Sequence, residues 1–489
     1  MTILADIVSS FMLLGAFGTG GSTPFWATAN SFGLMPESNG MMMMANAHMG
    51  FDESRKVQFR WGASVAARID GSDIFQPIPD ELYAGIRWKV LALDLGMKHT
   101  EQDYMASDSV LGSLSTTAGR LCWSGNARTV PGYTLRLEPW SIPGTKDILQ
   151  LYGHWGDYCA IDTRYVEYPW VHNMQLGLKL NVWRFSLDLR IDHYAMWAGT
   201  DPKYGRMPSS FADYFRMCFG MKASSSGSLS DQINVLGDQR GAELIRLNYK
   251  GNGWKISVAH EIPYEDKSGM RFVNFPDGVN TLSFSFDRKD RWVSDVVYEF
   301  IYTMNQSGPL HERPATEEEM ASQDPSHPWY GYIVLGGEDD YFNHEEYKSG
   351  WTFWGRTAGL PLMTPAGTRA GSWNRNTVTL GVENNKIIAH HVAVSGLLFR
   401  KVPYKLMLTW SQNYGVPRKH RPVETFDGDW SGYGQFCSAF TAVIPLLKGR
   451  LRIMPGIYYD YGKILTSGFG CTVGLSYTLE TKWPTFHKK

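Results

Sequence analysis

No run in this sequence approaches the roughly 18 consecutive apolar residues of a membrane-spanning helix, which excludes a helical membrane protein. Charge is also scarce. Asp, Glu, Lys and Arg make up 19% of the 489 residues, and 47 basic against 48 acidic side chains leave a formal net charge of −1. With no basic tail, nothing draws the chain toward nucleic acid. Cysteine is sparse and odd in number: Cys122, Cys159, Cys218, Cys437 and Cys471, with no CxxC spacing and no accompanying histidine cluster. This argues against a disulfide framework or a zinc site and leaves the thiols as small apolar side chains on strand faces. GxSxG, HExxH, Walker-type and GxGxxG motifs are missing as well. The chain therefore reads as a non-enzyme without cofactor or metal.

Aromatic residues are plentiful, at 14% (24 Phe, 18 Trp, 25 Tyr), and glycine numbers 50. Such a chain is too aromatic and too weakly charged for disorder. Its length alone would suggest about three domains, but barrels are an exception to that prior, and residues 1–489 are taken as one domain. An aromatic-rich, glycine-rich and charge-poor composition fits an outer-membrane barrel, whose alternating strands hide their hydrophobicity from an average.

Periodicity points the same way. Met174, Leu176, Leu178, Leu180 and Val182 alternate with Gln175, Gly177, Lys179 and Asn181. After Trp183-Arg184, Phe185, Leu187, Leu189 and Ile191 alternate with Ser186, Asp188, Arg190 and Asp192. The two-residue loop keeps Val182 and Phe185 on one face, which makes a hairpin with one apolar side. Similar runs flank 250–253 and 287–291 and close the chain over 471–479. Upstream strands are expected near 7–17, 42–51, 56–69, 81–89, 91–98, 132–138 and 147–155, and eleven more from 174 onward bring the total to about 18. Met1–Asp6 carries no Lys or Arg, so this end is read as the first strand; an exported protein would have had its signal trimmed or its start misassigned.

Short turns near 184, 250–253, 287–291, 400–403 and 448–450 alternate with long connections near 194–241, 262–279, 304–386 and 414–433. That asymmetry predicts one periplasmic rim and one extracellular rim. The fold expected is all-β: a monomeric, multi-pass transmembrane antiparallel β-barrel in the outer membrane of a Gram-negative bacterium, in contact with its lipid. Short helices are expected over 208–215, capped by serine, and after the capping box Thr316–Glu319. The loop 304–386 is too long to be structureless and should fold over or into the barrel as an extracellular plug.

Within that loop, Trp329, Tyr330, Tyr332, Tyr341, Phe342, Tyr347, Trp351, Phe353, Trp354 and Trp373 crowd a non-periodic segment with Asn343, Arg356 and Arg369. Sugars stack their C–H faces on aromatic rings while polar side chains take the hydroxyls, so the mixture suits carbohydrate; packing of the loop into the lumen explains it equally well. Trp351 and Trp354 can share a face only if the backbone between them is helical, and Arg356 offers a guanidinium for an acidic sugar. Glu338-Asp339-Asp340 with Asn343 could bind calcium, although a solvated acidic loop is the commoner reading. His390-His391 lies on a strand, so its rings face opposite sides.

A set of segments is spread from Thr23 to His391: Thr23-Pro24-Phe25-Trp26 with Asn30 and Gly33, Ser124-Gly125-Asn126-Ala127-Arg128, Ser141–Lys146, Trp197-Ala198-Gly199-Thr200, Tyr341-Phe342-Asn343, Ser349-Gly350-Trp351, Gly355-Arg356, and Asn384-Asn385 before Ala389-His390-His391. In order and spacing they resemble the capsule-assembly Wzi family of outer-membrane proteins, in the version carried by Gram-negative gut anaerobes. The resemblance implies an eighteen-stranded barrel plugged by its own segments, a surface lectin that helps retain capsular polysaccharide, with neither cofactor nor catalytic residue. Trp197 and Arg128 thereby join Trp351, Trp354, Arg356, Tyr341 and Asn343 as carbohydrate-binding candidates. Two other functions compete with this one. A pore for small solutes or oligosaccharides needs an open lumen, and an outer-membrane enzyme needs a catalytic constellation at the outer rim, for which His344, Asp339 and Asp340 are the available groups.

Overall fold

The computed structural model describes residues 5–71, 75–99, 109–224, 235–265, 272–308, 311–325, 330–337, 339–368, 378, 380–417 and 432–483. Eighteen strands close into one antiparallel barrel. They are β1 (Ala5–Gly18), β2 (Gly40–Met49), β3 (Val57–Asp70), β4 (Gln76–Trp88), β5 (Leu91–Met97), β6 (Gly132–Ser141), β7 (Leu149–Cys159), β8 (Trp170–Val182) and β9 (Phe185–Trp197). The second half comprises β10 (Asp238–Lys250), β11 (Trp254–Tyr264), β12 (Gly278–Phe286), β13 (Asp295–Tyr302), β14 (Ile387–Leu398), β15 (Val402–Asn413), β16 (Tyr433–Ala442), β17 (Leu451–Gly462) and β18 (Gly468–Trp483). One extra short strand, Ile444–Leu446, continues β16 along β17.

Each strand pairs with its sequence neighbours, and β1 closes the ring by pairing with β18 from Ala5↔Trp483 to Gly18↔Gly470. A closed ring leaves no edge, so every strand can satisfy its backbone groups in hydrocarbon. Alternation then sets the two faces. Leu176, Leu178 and Leu180 of β8 point outward and are exposed, while Gln175 is buried in the lumen. Phe59, Leu82, Val473, Leu475 and Leu479 carry the outward apolar band round the barrel. So large an apolar surface is untenable in water and is what a lipid-facing wall requires. The molecule is an outer-membrane-type β-barrel.

The rims differ as the loop lengths suggested. Connections 89–90, 183–184, 251–253 and 399–401 mark one rim, and 19–39, 98–131, 198–237, 303–386 and 414–432 leave from the other. The expected capping box at Thr316 forms, and the serine-capped helix proves to carry one as well. Thr316 and Glu319 cap Glu317–Ala321, and Ser210 with Asp213 caps Phe211–Cys218, a helix starting three residues later than the sequence suggested. The five cysteines are free thiols.

Polar halves of the alternating runs line the lumen. Arg190 pairs with Asp192 at 2.7 Å and with Glu261 of β11 at 3.3 Å, and Arg246 of β10 pairs with Asp188. Buried charges are tolerated because they are paired. Segments 19–39, 109–131 and 339–366 fold back between these walls as a plug. Its apolar core gathers Trp26, Leu114, Trp123, Trp351 and Phe353 against the inward-facing Tyr194. Hydrogen bonds tie it to the wall all round: Trp26 Nε1 donates to Thr409 Oγ1 of β15 (3.1 Å), Phe25 N to Asp460 of β17 (2.8 Å), Leu121 N to Glu261 (3.1 Å) and Thr116 N to Glu299 of β13 (2.9 Å). His391 is buried between Thr409 Oγ1 and the Leu114 carbonyl, each at 2.8 Å, while His390 on the opposite face is exposed.

Candidate ligand-binding site on the plug

The residues singled out from sequence separate into three environments. Trp351, Tyr341 and Asn343 belong to the plug interior. Trp351 is fully buried, with ring neighbours Trp123, Tyr194 and Phe353 at 5.7–6.1 Å, the Arg240 guanidinium 4.9 Å above it, and Nε1 donating to the Cys122 carbonyl. Tyr341 donates its hydroxyl to Asp277 (2.8 Å). Asn343 clamps the main chain of Val382, donating to its carbonyl at 3.0 Å and accepting from its N–H at 2.8 Å, and also donates to Asp340. None of the three presents an open face.

Arg356, Trp354 and Arg128 lie where the plug meets β4 (Gln76–Trp88). The segment holding the two tryptophans is not helical. Thr352↔Thr357 and Phe353↔Arg356 pair as a small hairpin, with Trp354 (φ 47) and Gly355 (φ 72) as its left-handed turn, the conformation of a two-residue β-hairpin loop. The two rings therefore diverge, Trp351 into the core and Trp354 toward the surface, where it is only partly buried. Arg356 was expected to grip an acidic sugar, but its donors are spent inside the plug. Nε donates to the Asn126 carbonyl (2.9 Å), Nη2 to Asn126 Oδ1 (3.0 Å) and the Thr28 carbonyl (3.2 Å), and Nη1 to Glu37.

Arg128 is the freer cation. Its guanidinium lies 4.4 Å over the Trp354 ring, it makes one long contact to the Pro79 carbonyl (3.4 Å), and its buried Nε has no partner. Burial, helped by nearby Arg68, pushes its pKa down to about 10, so it stays charged at neutral pH. Gly33 explains the close approach: at φ +62, a side chain there would meet Arg128 and Arg356 at 3.0 and 3.4 Å. Phe32 stacks on His99 at 3.6 Å beside this pair, and Trp354 N donates to Asp162 (2.8 Å). A flat aromatic face, a cation and nearby acceptors thus share one partly open patch.

Near it, Asp80, Glu81 and His99 have ligand atoms within 4.8 Å of one another. His99 already serves both carboxylates, through ring Nε2 to Asp80 (2.6 Å) and its main-chain N–H donating to Glu81 (2.7 Å). Two members of the acidic trio of the long loop are not solvated. Asp339 and Asp340 are buried and accept from Asn274, Ser307, Asn343 and Asn385; Glu338, Trp329, Arg369 and Trp373 lie outside the described residues.

Trp197 is in the third environment. In the β8–β9 register it opposes Trp170 on the outer face of the wall, one position along from inward-facing Met196, and it packs on Tyr214 of the helix Phe211–Cys218 (5.5 Å). Sequence reading placed Arg190 on a polar strand face without giving it a partner and overlooked Arg240 and Glu261, whose signal was present as charges on the polar half of otherwise apolar strands. Phe32 and His99 gave no such signal.

No protein-family model matches the chain, and no curated protein matches it. Among solved structures it is similar to Wzi of Escherichia coli, described as an outer membrane protein involved in group 1 capsule assembly and a carbohydrate-binding β-barrel, at 11% identity over 97% of this chain and 84% of that one, with a TM-score of 0.51. Similarity also extends to Pseudomonas aeruginosa OccK3 (OpdO), at 10% identity over 97% and 96% of the two chains and a TM-score of 0.45, and to Acinetobacter baumannii OccAB2, at 9% identity over 98% of each and 0.45. At such identities the likeness to Wzi bears on fold alone.

Proposed function

We propose that this barrel is a non-catalytic surface lectin that binds capsular polysaccharide at its outer rim and helps hold the capsule on the cell, as expected of a Wzi-like protein acting as a monomer. The observation that carries this reading is the pairing of Arg128 with Trp354 at the plug surface, where the cation has spare hydrogen-bonding capacity and the ring is partly open. Arg128 suits a uronate or other acidic sugar group, and Trp354 a sugar's C–H face. Tyr341, Asn343, Trp351 and Arg356 act in this reading as the scaffold that holds the hairpin turn in place. The carbohydrate-binding Wzi barrel of Escherichia coli, with which the fold is shared, supports the same reading. A small-solute channel is the alternative, and a lumen occupied by Trp26, Trp123 and Trp351 weighs against it. Each sugar contact contributes only about 1 kcal/mol net, so retention depends on many barrels gripping one polymer. The test is Arg128→Ala with Trp354→Ala. The variant should keep its heat-modifiable gel mobility while capsule moves from the cells into the medium. Normal retention by the folded variant would refute the assignment, and shortening of the polysaccharide by purified protein would favour an enzyme.

A further inference from the structure

In the connection 198–237, Met207 joins the plug core, whereas the helix Phe211–Cys218 packs on the outer side of the wall. In the strand register, Trp155 of β7, Met174 of β8, and His193, Ala195 and Trp197 of β9 share the outward parity of lipid-facing Leu176. Against them sits the helix Phe211–Cys218. Met217 and Cys218 bury on Ala195, Trp197 and Leu236, Trp155 Nε1 donates to Tyr214 Oη (2.8 Å), and Tyr214 donates to Asp157 (2.9 Å). Gln239 of β10 secures the segment by donating to the carbonyls of Met217 (3.1 Å) and Leu236 (2.7 Å). The helix's other face carries Phe211, Phe215 and then Phe219, exposed by 78, 43 and 61%. An aromatic stripe at this spacing, on the outside of a barrel, lies in the membrane interface.

About nine to eleven residues of a tilted strand cross the apolar band. Counted from the short-turn end of β8 at Val182, the band ends near His172, which places the helix at the outer leaflet. Where the C-terminal end of the helix meets the wall is a cavity of about 490 Å³, lined largely by apolar surface from Trp155, Met174, Leu176, Ile191 and Phe219, with His154, Gln175, His193, Gln239 and Glu265 as its polar lining. It is large enough for a substantial ligand, since small-molecule sites span roughly 300–1,000 Å³. His193 gives its Nε2 to Gln239 (2.5 Å), and its Nδ1 is buried without a partner. Exposed Lys222 follows Gly220 of the lining by two residues.

We propose that this cavity holds one acyl chain of an anionic outer-leaflet glycolipid, with the chain between the end of the helix and the wall, its polar linkage at His193 and its phosphate near Lys222. The occupant is hydrocarbon because Leu176 and the phenylalanine stripe surround the site with lipid. It is anionic because the exposed cation beside the site is Lys222. The proposal rests on the membrane-facing wall and not on the polysaccharide reading.

Its test uses the full chain, purified, stripped of lipid and incubated with lipid A, or in parallel with phosphatidylethanolamine, before native mass spectrometry. The wild type should retain one lipid A per chain. Ile191→Trp should reduce the retained fraction roughly tenfold or more, because displacing only about two methylenes suffices for that. Leu187→Trp, outward on the same strand but outside the lining, should leave retention unchanged. If Ile191→Trp fails to fold, Lys222→Glu decides, and it should weaken lipid A retention severalfold. Capsule retention should not change in any of these variants, so a failure here is separable from a failure of the lectin reading. No retained lipid in the wild type, equal retention of phosphatidylethanolamine, or undiminished lipid A in the folded variants would overturn the proposal.

Discussion

Strand β8 places Leu176, Leu178 and Leu180 on lipid and Gln175 in the lumen by alternation alone, and its partner β9 follows after a two-residue turn. Trp351 of the plug is held instead by Trp123, Tyr194, Arg240 and the Cys122 carbonyl, groups brought together from distant parts of the chain. The wall is thus a series of local hairpins whose outer face is satisfied by the membrane. The plug is a small soluble-type core whose cohesion comes from burial and long-range hydrogen bonds. The two should respond to different insults.

Trp351→Ala is expected to separate them most sharply. It removes a fully buried ring and one hydrogen bond, a loss of about 3–5 kcal/mol for large-to-small core changes. Limited proteolysis should cut within 303–386 while the unboiled barrel keeps its fast gel migration. Loss of that migration would mean that wall and plug fold as one unit. Arg190→Ala strikes the joint between them by leaving Asp192 and Glu261 without their cation. Unpairing a buried ion pair costs roughly 3–5 kcal/mol, and part of that loss should fall on the wall, so the yield of heat-modifiable barrel should drop.

A gentler probe is pH. Burial pushes the Glu265 carboxyl up to about 8 against the opposing pull of Arg240, with Asp339 and Asp238 adding like charge. The folded state therefore holds this proton more tightly than the unfolded chain, whose carboxyl titrates near about 4.3. Its contribution to the plug is complete below that value and is lost as pH rises through about 8. Protease resistance of the plug should fall between about pH 5 and 9 and become flatter in Glu265→Gln. The smallest effect concerns the exposed helix Glu317–Ala321. Thr316→Ala removes a cap worth about 1 kcal/mol and should speed amide exchange over 317–321 without touching the wall. Glu319, held down to about 2 by Arg313 and the Thr316 N–H, keeps its capping role until the pH falls through that value.

The same contrast explains what could be read from sequence. Alternating runs and turn lengths gave the eighteen strands, the even closure and the two unequal rims, because a strand's faces and its hairpin partner are local properties. The Thr316/Glu319 capping box and a serine cap on the 208–215 helix were legible for the same reason; the Asp213 half of that second box was not. The plug was not. Whether Trp351 or Trp354 faces outward depends on a left-handed turn at Trp354-Gly355, and whether Arg356 is spent depends on Asn126, Thr28 and Glu37 arriving from elsewhere. Asp339 and Asp340 looked like solvated acids because their donors, Asn274, Ser307 and Asn385, are remote in sequence. Trp197 was grouped with the binding candidates, yet its strand parity turns it to the outer wall beneath a helix whose docking no local pattern announced.

The central claim is that the described plug segments occupy the lumen; the function proposed above then requires that the barrel does not conduct. The direct measurement is ion current through the purified full chain in a planar lipid bilayer. The account predicts no steady conductance for the wild type and the appearance of current steps in Trp351→Ala. A stable, ohmic open channel in the wild type would contradict it.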